Sequence, residues 1–409
     1  MDSSYDRHVS RPSDVDARPG ETNPGGRVAH PLEPLVLDQV DAKERGRAHG
    51  EHWRAAVAEL AEIRLALALR CGDFRDEAEV LGVAGLHLPC LRRHLPAMAD
   101  ELEGIAEGAD VSPERVVVLN HYTDLRDVPR AVLDADAGQP IGRNEAEVEG
   151  AGGDPGGCTA VYFNGKRGPL QGVTWDLHGN AEAHVRMLRI APKDRDEEVL
   201  CMTLAGCLGA AGISGRGVAV TVNNLSSTDA RVGVVWPAVV RAMLDEPNAA
   251  AARALLERTP LSSGHHYVIA DGYDYYGIET SGELKVLTQL GPRAAHVHTN
   301  HCFDPVLRRR EAVPAGSTSF ARLNLATTLY AQQRPTDAEA LWSLLHTQED
   351  GKGSLCIEPD PEDPTATATC AVIAMGLHEG WMRVVRGNAH RAEPIELRVE
   401  RWQGQPQTA

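Results

Sequence analysis

Between residue 41 and about residue 70, Ala55, Ala56, Leu60, Ile63, Leu67 and Leu69 recur near the 3.6-residue period, which predicts a helix. A second helix is expected over 91–108. Leu95, Met98, Leu102 and Ile105 share one face, and Gly108 provides a stop. Ser112 followed by Glu114 marks a third helix start, running through Val116 to Leu119. Past residue 158 the pattern shifts to short apolar runs of strand type. They fall at 159–163, 170–175, 184–190, 199–204, 217–222, 266–270, 275–280 and 295–299, with late strands at 367–375 and 381–385. Helical stretches lie at 235–244, 249–257, 319–330 and 338–345. Strands with helices between and after them predict an α+β fold of two sheets with helices packed outside.

Two segments break this pattern. Residues 1–33 are polar and rich in Pro, Gly and Asp, and are expected to form a disordered tail. Residues 134–157 are acidic and glycine-rich, and read as a flexible linker. The expected organisation is therefore a tail over 1–33, a helical part over 34–157 and a sheet-rich part over 158–409.

Charge narrows the partners. The net charge is −17, which disfavours nucleic acid and anionic membrane surfaces. No window of 18 residues is apolar throughout, so no membrane span is expected. The N-terminal stretch lacks the apolar core of a signal peptide, which favours a cytoplasmic location. The 8 cysteines are scattered, without a CxxC pair. Most are expected to be buried free thiols, with one as a candidate nucleophile.

The junction Gly156–Gly157–Cys158–Thr159 is the most informative point, because a flexible segment ends there and a cysteine opens a strand. Polar residues gather at the ends of later strands: Trp175–Asp176, Asn223–Asn224 and Thr299–Asn300–His301. Such clustering suggests a site at one sheet edge, although Asp and Asn are also common in turns.

Taken in order, these residues resemble the acyl-coenzyme A:6-aminopenicillanate acyltransferase (isopenicillin-N acyltransferase) family of N-terminal-nucleophile (Ntn) hydrolases. In the helical part, Gly46–Arg47–Ala48–His49–Gly50 is similar to the family's G-x-x-x-G segment. The stretch from Glu101 to Ala109 is similar to its E-L-x-G-I-A-x-G-A stretch, and Leu119–Asn120 follows. Gly157–Cys158–Thr159 resembles the G-C-T processing site. Asp176 lies 18 residues further on, in a match to N-W-D. Thr299–Asn300–His301 and Ser319-x-x-Arg322–Leu323 resemble T-N-H and S-x-x-R-L. Two positions depart from the pattern. Thr174 stands where Asn is usual, and Cys302 follows Thr-Asn-His where an aromatic is common.

The resemblance implies a four-layer αββα sandwich with two mostly antiparallel sheets. It implies self-cleavage between Gly157 and Cys158, followed by acyl transfer or amide hydrolysis through a Cys158 thioester. The two fragments would remain associated as a heterodimer. Asp176 would orient the new α-amino group or the substrate amine, and Asn300 would donate to the developing oxyanion. Arg322 would hold Asp176 or a substrate carboxylate in a bidentate pair. Thr159, Trp175, Asn224, His301 and Ser319 are further substrate or oxyanion candidates, with Ser319 also a helix N-cap. No cofactor is required, although a coenzyme A thioester can serve as acyl donor to a small-molecule amine, in natural-product or β-lactam-like metabolism.

One other motif carries chemistry. His296-x-His298-x-x-His301 has spacing suited to zinc, which leaves a zinc-dependent hydrolase open as a second reading. A non-processing binding domain is the third.

Overall fold

In a computed structural model, the described residues are 32–129, 157–291, 295–314, 316–349 and 354–402. The expected tail over 1–33 lies almost wholly outside them, as does the expected linker over 134–157 apart from Gly157.

The helical part begins after a short strand β1 (Leu35–Leu37). The helix expected over 41–70 is two helices, α1 (Ala42–His52) and α2 (Arg54–Cys71). They part at Trp53, which leaves helical geometry at ψ 32°. Asp41 caps α1 by accepting the Glu44 N–H at 2.9 Å. α3 (Glu77–His94) occupies most of a stretch for which no helix was expected, because Gly82, Gly85 and Pro89 dilute its helical signal. The break between α3 and α4 (Pro96–Ala109) falls inside the expected second helix. Pro96 cannot continue α3 but suits the first position of α4. α5 (Pro113–Asp127) starts at Ser112, whose hydroxyl accepts the Arg115 N–H at 3.3 Å.

The two glycine-bearing motifs pack on each other. A Cβ on Gly46 would stand 1.9 Å from the Glu101 carbonyl oxygen, and one on Gly104 would stand 2.0 Å from that of Lys43. Helices α1 and α4 therefore meet backbone to backbone, which only glycine permits. Buried Arg45 clamps the same contact through Glu101 at 2.9 Å. Gly104→Ala is expected to force the helices apart and cost about 3 kcal/mol, at the upper end of overpacking penalties. Denaturant unfolding of the full chain measures it. An unchanged midpoint would contradict this packing.

The second part forms two sheets. Strands β4 (Val185–Ile190), β5 (Val199–Leu204), β6 (Ala211–Ser214), β7 (Ala219–Leu225), β8 (Gly264–Ala270), β9 (Tyr275–Thr280) and β10 (Lys285–Leu290) follow β1 in the order β1-β4-β5-β6-β7-β8-β9-β10. The other sheet has the order β11-β2-β3-β12-β13-β14. Its members are β2 (Gly157–Gly165), β3 (Gly168–His178), β11 (His296–His298), β12 (Thr367–Gly376), β13 (Trp381–Arg386) and β14 (Ile395–Arg398). All described pairings between these strands are antiparallel except β1 with β4.

The sheets stack face to face. Tyr162 and Tyr275 stack at 4.0 Å between centroids, and Gln171 Nε2 donates to Thr221 Oγ1 at 2.9 Å. Helices α6 (Trp236–Leu244) and α7 (Ala249–Arg258) cover the outer face of the first sheet. Helices α8 (Ser319–Gln333) and α9 (Ala338–Leu345) cover that of the second. The architecture is thus αββα, as the sequence led us to expect. Strand alternation divides β2 between two cores. Cys158, Ala160 and Tyr162 face the other sheet, while Val161 and Phe163 face α8 and α9. All eight cysteines are free thiols and six are buried. Among the described residues, no helix is long and apolar enough to cross a membrane.

Candidate active site

The site lies where β2, β3 and β12 begin or end side by side. Register sets Gly157 opposite Asp176 and Cys158 opposite Trp175, while Asp176 pairs with Thr369 on β12. Cys158 thus starts the inner strand of a buried sheet with its thiol toward the other sheet. Cys158, Trp175, Asp176 and Asn224 line one cleft together with residues of the helical part.

Hydrogen bonds fix both backbone groups of Cys158. Its N–H donates to Asn300 Oδ1 at 2.7 Å. Its carbonyl accepts from Arg322 Nη1 at 2.8 Å and from Asn223 Nδ2 at 3.1 Å. Arg322 Nη2 also donates to Asn300 Oδ1, at 2.8 Å. Both partners of that oxygen are pure donors, so the Asn300 amide has one orientation. Its Nδ2 then donates to the Asn224 carbonyl at 2.9 Å. In the intact chain Asn300 is therefore an acceptor for Cys158 N, and the expected donation to an oxyanion competes with its bond to Asn224.

Arg322 also departs from expectation. Its guanidinium serves Cys158 O, Asn300 Oδ1, Thr159 Oγ1 at 3.2 Å and Thr318 Oγ1 at 2.9 Å. A bidentate pair with Asp176 is absent among the described ion pairs. The two groups instead flank Gly157, where an added Cβ would lie 3.2 Å from both Arg322 Nη2 and Asp176 Oδ2. Asp176 is fully buried and accepts from Thr369 Oγ1 at 2.7 Å.

Three expected substrate contacts sit behind the cleft. Thr159 points to the α8 side of β2, where Arg322 reaches it. Ser319 accepts the Asn300 N–H at 2.7 Å and contacts His301 Nδ1 at 2.8 Å. It is the first residue of α8, and Thr318 holds the N-cap position expected for it. These side chains hold Asn300 and Arg322 in place. Asn223 and Thr369 belong to the same network; the sequence marks Asn223 only as part of a polar strand end, and gives Thr369 no role in the site. The double asparagine was the available signal for Asn223, whereas nothing local marks Thr369 before β12 pairs with β3.

Burial and the charge of Asp176 push the Cys158 thiol up to about 12, while backbone hydrogen bonds from Asp176 and Asn224 and the charge of Arg322 act the other way. The nucleophilic form is the deprotonated one, so below that value its fraction grows about tenfold per pH unit. Any cleavage that uses this thiolate in the intact chain is expected to speed up between pH 6 and 9. A time course on freshly synthesised chain checks this, and a flat or falling profile would contradict it.

The histidine motif does not converge on a metal. His298 uses Nδ1 on the Thr299 carbonyl at 2.7 Å and Nε2 on Glu279 at 2.8 Å. His301 turns to Ser319 and stacks on Phe320 at 4.0 Å. Among the described residues, no three His, Cys, Asp or Glu side chains are placed to share an ion.

The chain is 25% identical over 270 residues to the 40 kDa form of acyl-coenzyme A:6-aminopenicillanic-acid-acyltransferase from Emericella nidulans, spanning 65% of this chain and 69% of that one. Among solved structures it is similar to penicillin V acylase from Agrobacterium tumefaciens, at 14% identity and a TM-score of 0.38, covering 59% of this chain and 86% of that one. It is also similar to a mutant form of conjugated bile acid hydrolase from Clostridium perfringens, at 12% identity and a TM-score of 0.38, covering 59% and 92%. A family model matches residues 163–390, a span that begins just past Cys158 and holds Asp176, Asn224, Asn300 and Arg322. With more than half of its length matched, the chain belongs to the acyl-coenzyme A:6-aminopenicillanic acid acyl-transferase family.

Proposed function

We propose that this enzyme cleaves itself between Gly157 and Cys158 and then uses Cys158 as an N-terminal nucleophile for acyl transfer or amide hydrolysis on small molecules. The observation that carries the reading is the grip on one residue. Cys158 has its N–H on Asn300, its carbonyl on Arg322 and Asn223, and its thiol in a cleft beside Asp176.

In the first step the Cys158 thiolate attacks the Gly157 carbonyl carbon. The Gly157–Cys158 C–N bond breaks, the nitrogen takes a proton and becomes an α-amine, and Gly157 is left as a thioester on Sγ. Water then releases Gly157 as a carboxylate and frees the thiol. The new α-amine has an ordinary pKa of about 8, so part of it is neutral and can take the thiol proton in later turnovers. Asn300 Oδ1 already accepts from this nitrogen in the intact chain, so the amine would be oriented before it is made. Asp176 lies across Gly157 and is placed to hold the amine or the acceptor. In the second step an acyl donor leaves its acyl group on Sγ, and an amine or water takes it away.

Asn224 is the better oxyanion donor. It lines the cleft next to the thiol, whereas Asn300 Nδ2 is engaged with the Asn224 carbonyl. The name of the Emericella relative suggests an acyl-coenzyme A thioester as donor and 6-aminopenicillanic acid as acceptor. Incubation with a short-chain acyl-coenzyme A, alone and with 6-aminopenicillanic acid, tests the second step by mass spectrometry. The 158–409 fragment should gain one acyl group at Cys158 and lose it when the amine is added. Acylation elsewhere, or at no residue with any thioester or amide donor, would overturn the step.

A further inference from the structure

Arg64 lies on α2 and lines the same cleft as Cys158. It is 2% exposed. Its Nη1 donates to the Leu119 carbonyl and lies 3.7 Å from Cys207 Sγ, and its guanidinium sits over the Tyr122 ring at 4.8 Å. Its Nε is buried without a partner.

Other buried arginines differ. Arg45 has Glu101 at 2.9 Å, Arg126 has Asp127 at 3.0 Å and Arg241 has Glu101 at 3.7 Å. Arg186 donates to two backbone carbonyls, and Arg322, with no carboxylate among the described ion pairs, serves four oxygen atoms. Arg64 has neither: among the described residues it has one oxygen acceptor and no carboxylate within ion-pair distance. A buried guanidinium with five donors is costly unless an anion completes it. Its neighbours do not supply one. His178 and His184 face it, and its charge is among the causes that lower the pKa of each.

Trp175, Leu177, Val222 and Trp236 supply apolar surface to the cleft wall, while Asp176, Asn224 and His265 add polar groups near Cys158. A cleft whose surface is mostly apolar, with a buried guanidinium whose Nε has no partner, suits a small carboxylate on an apolar body.

We infer that Arg64 forms a carboxylate subsite, so that the preferred substrate carries an acid group in the cleft that opens onto Cys158. The inference rests on reading the cleft as the substrate site, but it needs no reaction at Cys158.

Calorimetric titration of the full chain with phenylacetate and benzoate, against phenylacetamide, benzamide and inorganic phosphate, tests it. The wild type should bind the two carboxylates at least about tenfold more tightly than their amides and than phosphate. Arg64→Met should erase that preference while amide affinity stays within about twofold, and Arg64→Lys should fall between. Equal binding of acid and amide, tighter binding of phosphate, absence of carboxylate binding, or a preference that survives Arg64→Met each overturns the subsite. The wild-type comparison stands even where a variant fails to fold. The same titration on Cys158→Ala separates the two claims. A carboxylate preference in both chains, with a wild type that never cleaves itself, keeps the subsite and sinks the self-cleavage. Cleavage without the preference does the reverse.

Discussion

Cys158→Ala is expected to abolish acyl transfer, lowering kcat/KM on the order of 10⁴-fold or more, because loss of a covalent nucleophile removes the whole two-step path. The fold should tolerate the change. The side chain is small, and alanine leaves the backbone hydrogen bonds to Asn300, Arg322 and Asn223 in place. Steady-state rates beside a thermal melt separate the outcomes. A variant that keeps more than about a tenth of wild-type activity would remove Cys158 from the chemistry.

Arg322→Met is the second large effect. It strips charge-assisted bonds from the Cys158 carbonyl and the Asn300 amide oxygen, both buried. Each acceptor keeps one neutral donor, Asn223 Nδ2 for the carbonyl and the Cys158 N–H for the amide oxygen, so the loss of the charge-assisted bonds costs about 3 kcal/mol of folding stability. Activity should fall roughly 10²- to 10⁴-fold, because a misplacement of about an ångström in the nucleophile already costs about 10²-fold. Lysine is expected to recover stability better than activity, since one ammonium cannot reach Cys158 O and Asn300 Oδ1 in the fork geometry of a guanidinium. Unfolding midpoints and kcat/KM for the two variants check this. Wild-type activity in the lysine variant would mean that charge alone matters at this position.

Much of this site could be read from the sequence, because its parts lie at strand starts and ends. A strand that opens on Gly157–Cys158, Trp175–Asp176 at the end of its partner and Thr299–Asn300–His301 after a third strand are local signals. What each side chain does there could not be read. Asn300 accepts from Cys158 N because Arg322 arrives from α8 and locks its amide, which depends on tertiary placement. The helical motifs were visible but not their purpose. Gly46 and Gly104 are spaced for a contact between α1 and α4 that appears only after folding. Arg64 gave no signal, since an arginine in an amphipathic helix usually reaches solvent. The strands that escaped notice, β1, β6, β10 and β14, are short or half exposed, so they lack both a long apolar run and a clean alternation.

The central claim is that the chain opens itself at Gly157–Cys158. Intact mass under denaturing conditions, wild type beside Cys158→Ala, tests it most directly. Dividing 44.1 kDa in proportion to chain length gives expected fragments of roughly 17 and 27 kDa, the larger beginning with Cys158, while the variant remains whole. A wild type that stays whole while active, or a Cys158→Ala chain that still divides at this bond, would contradict the account.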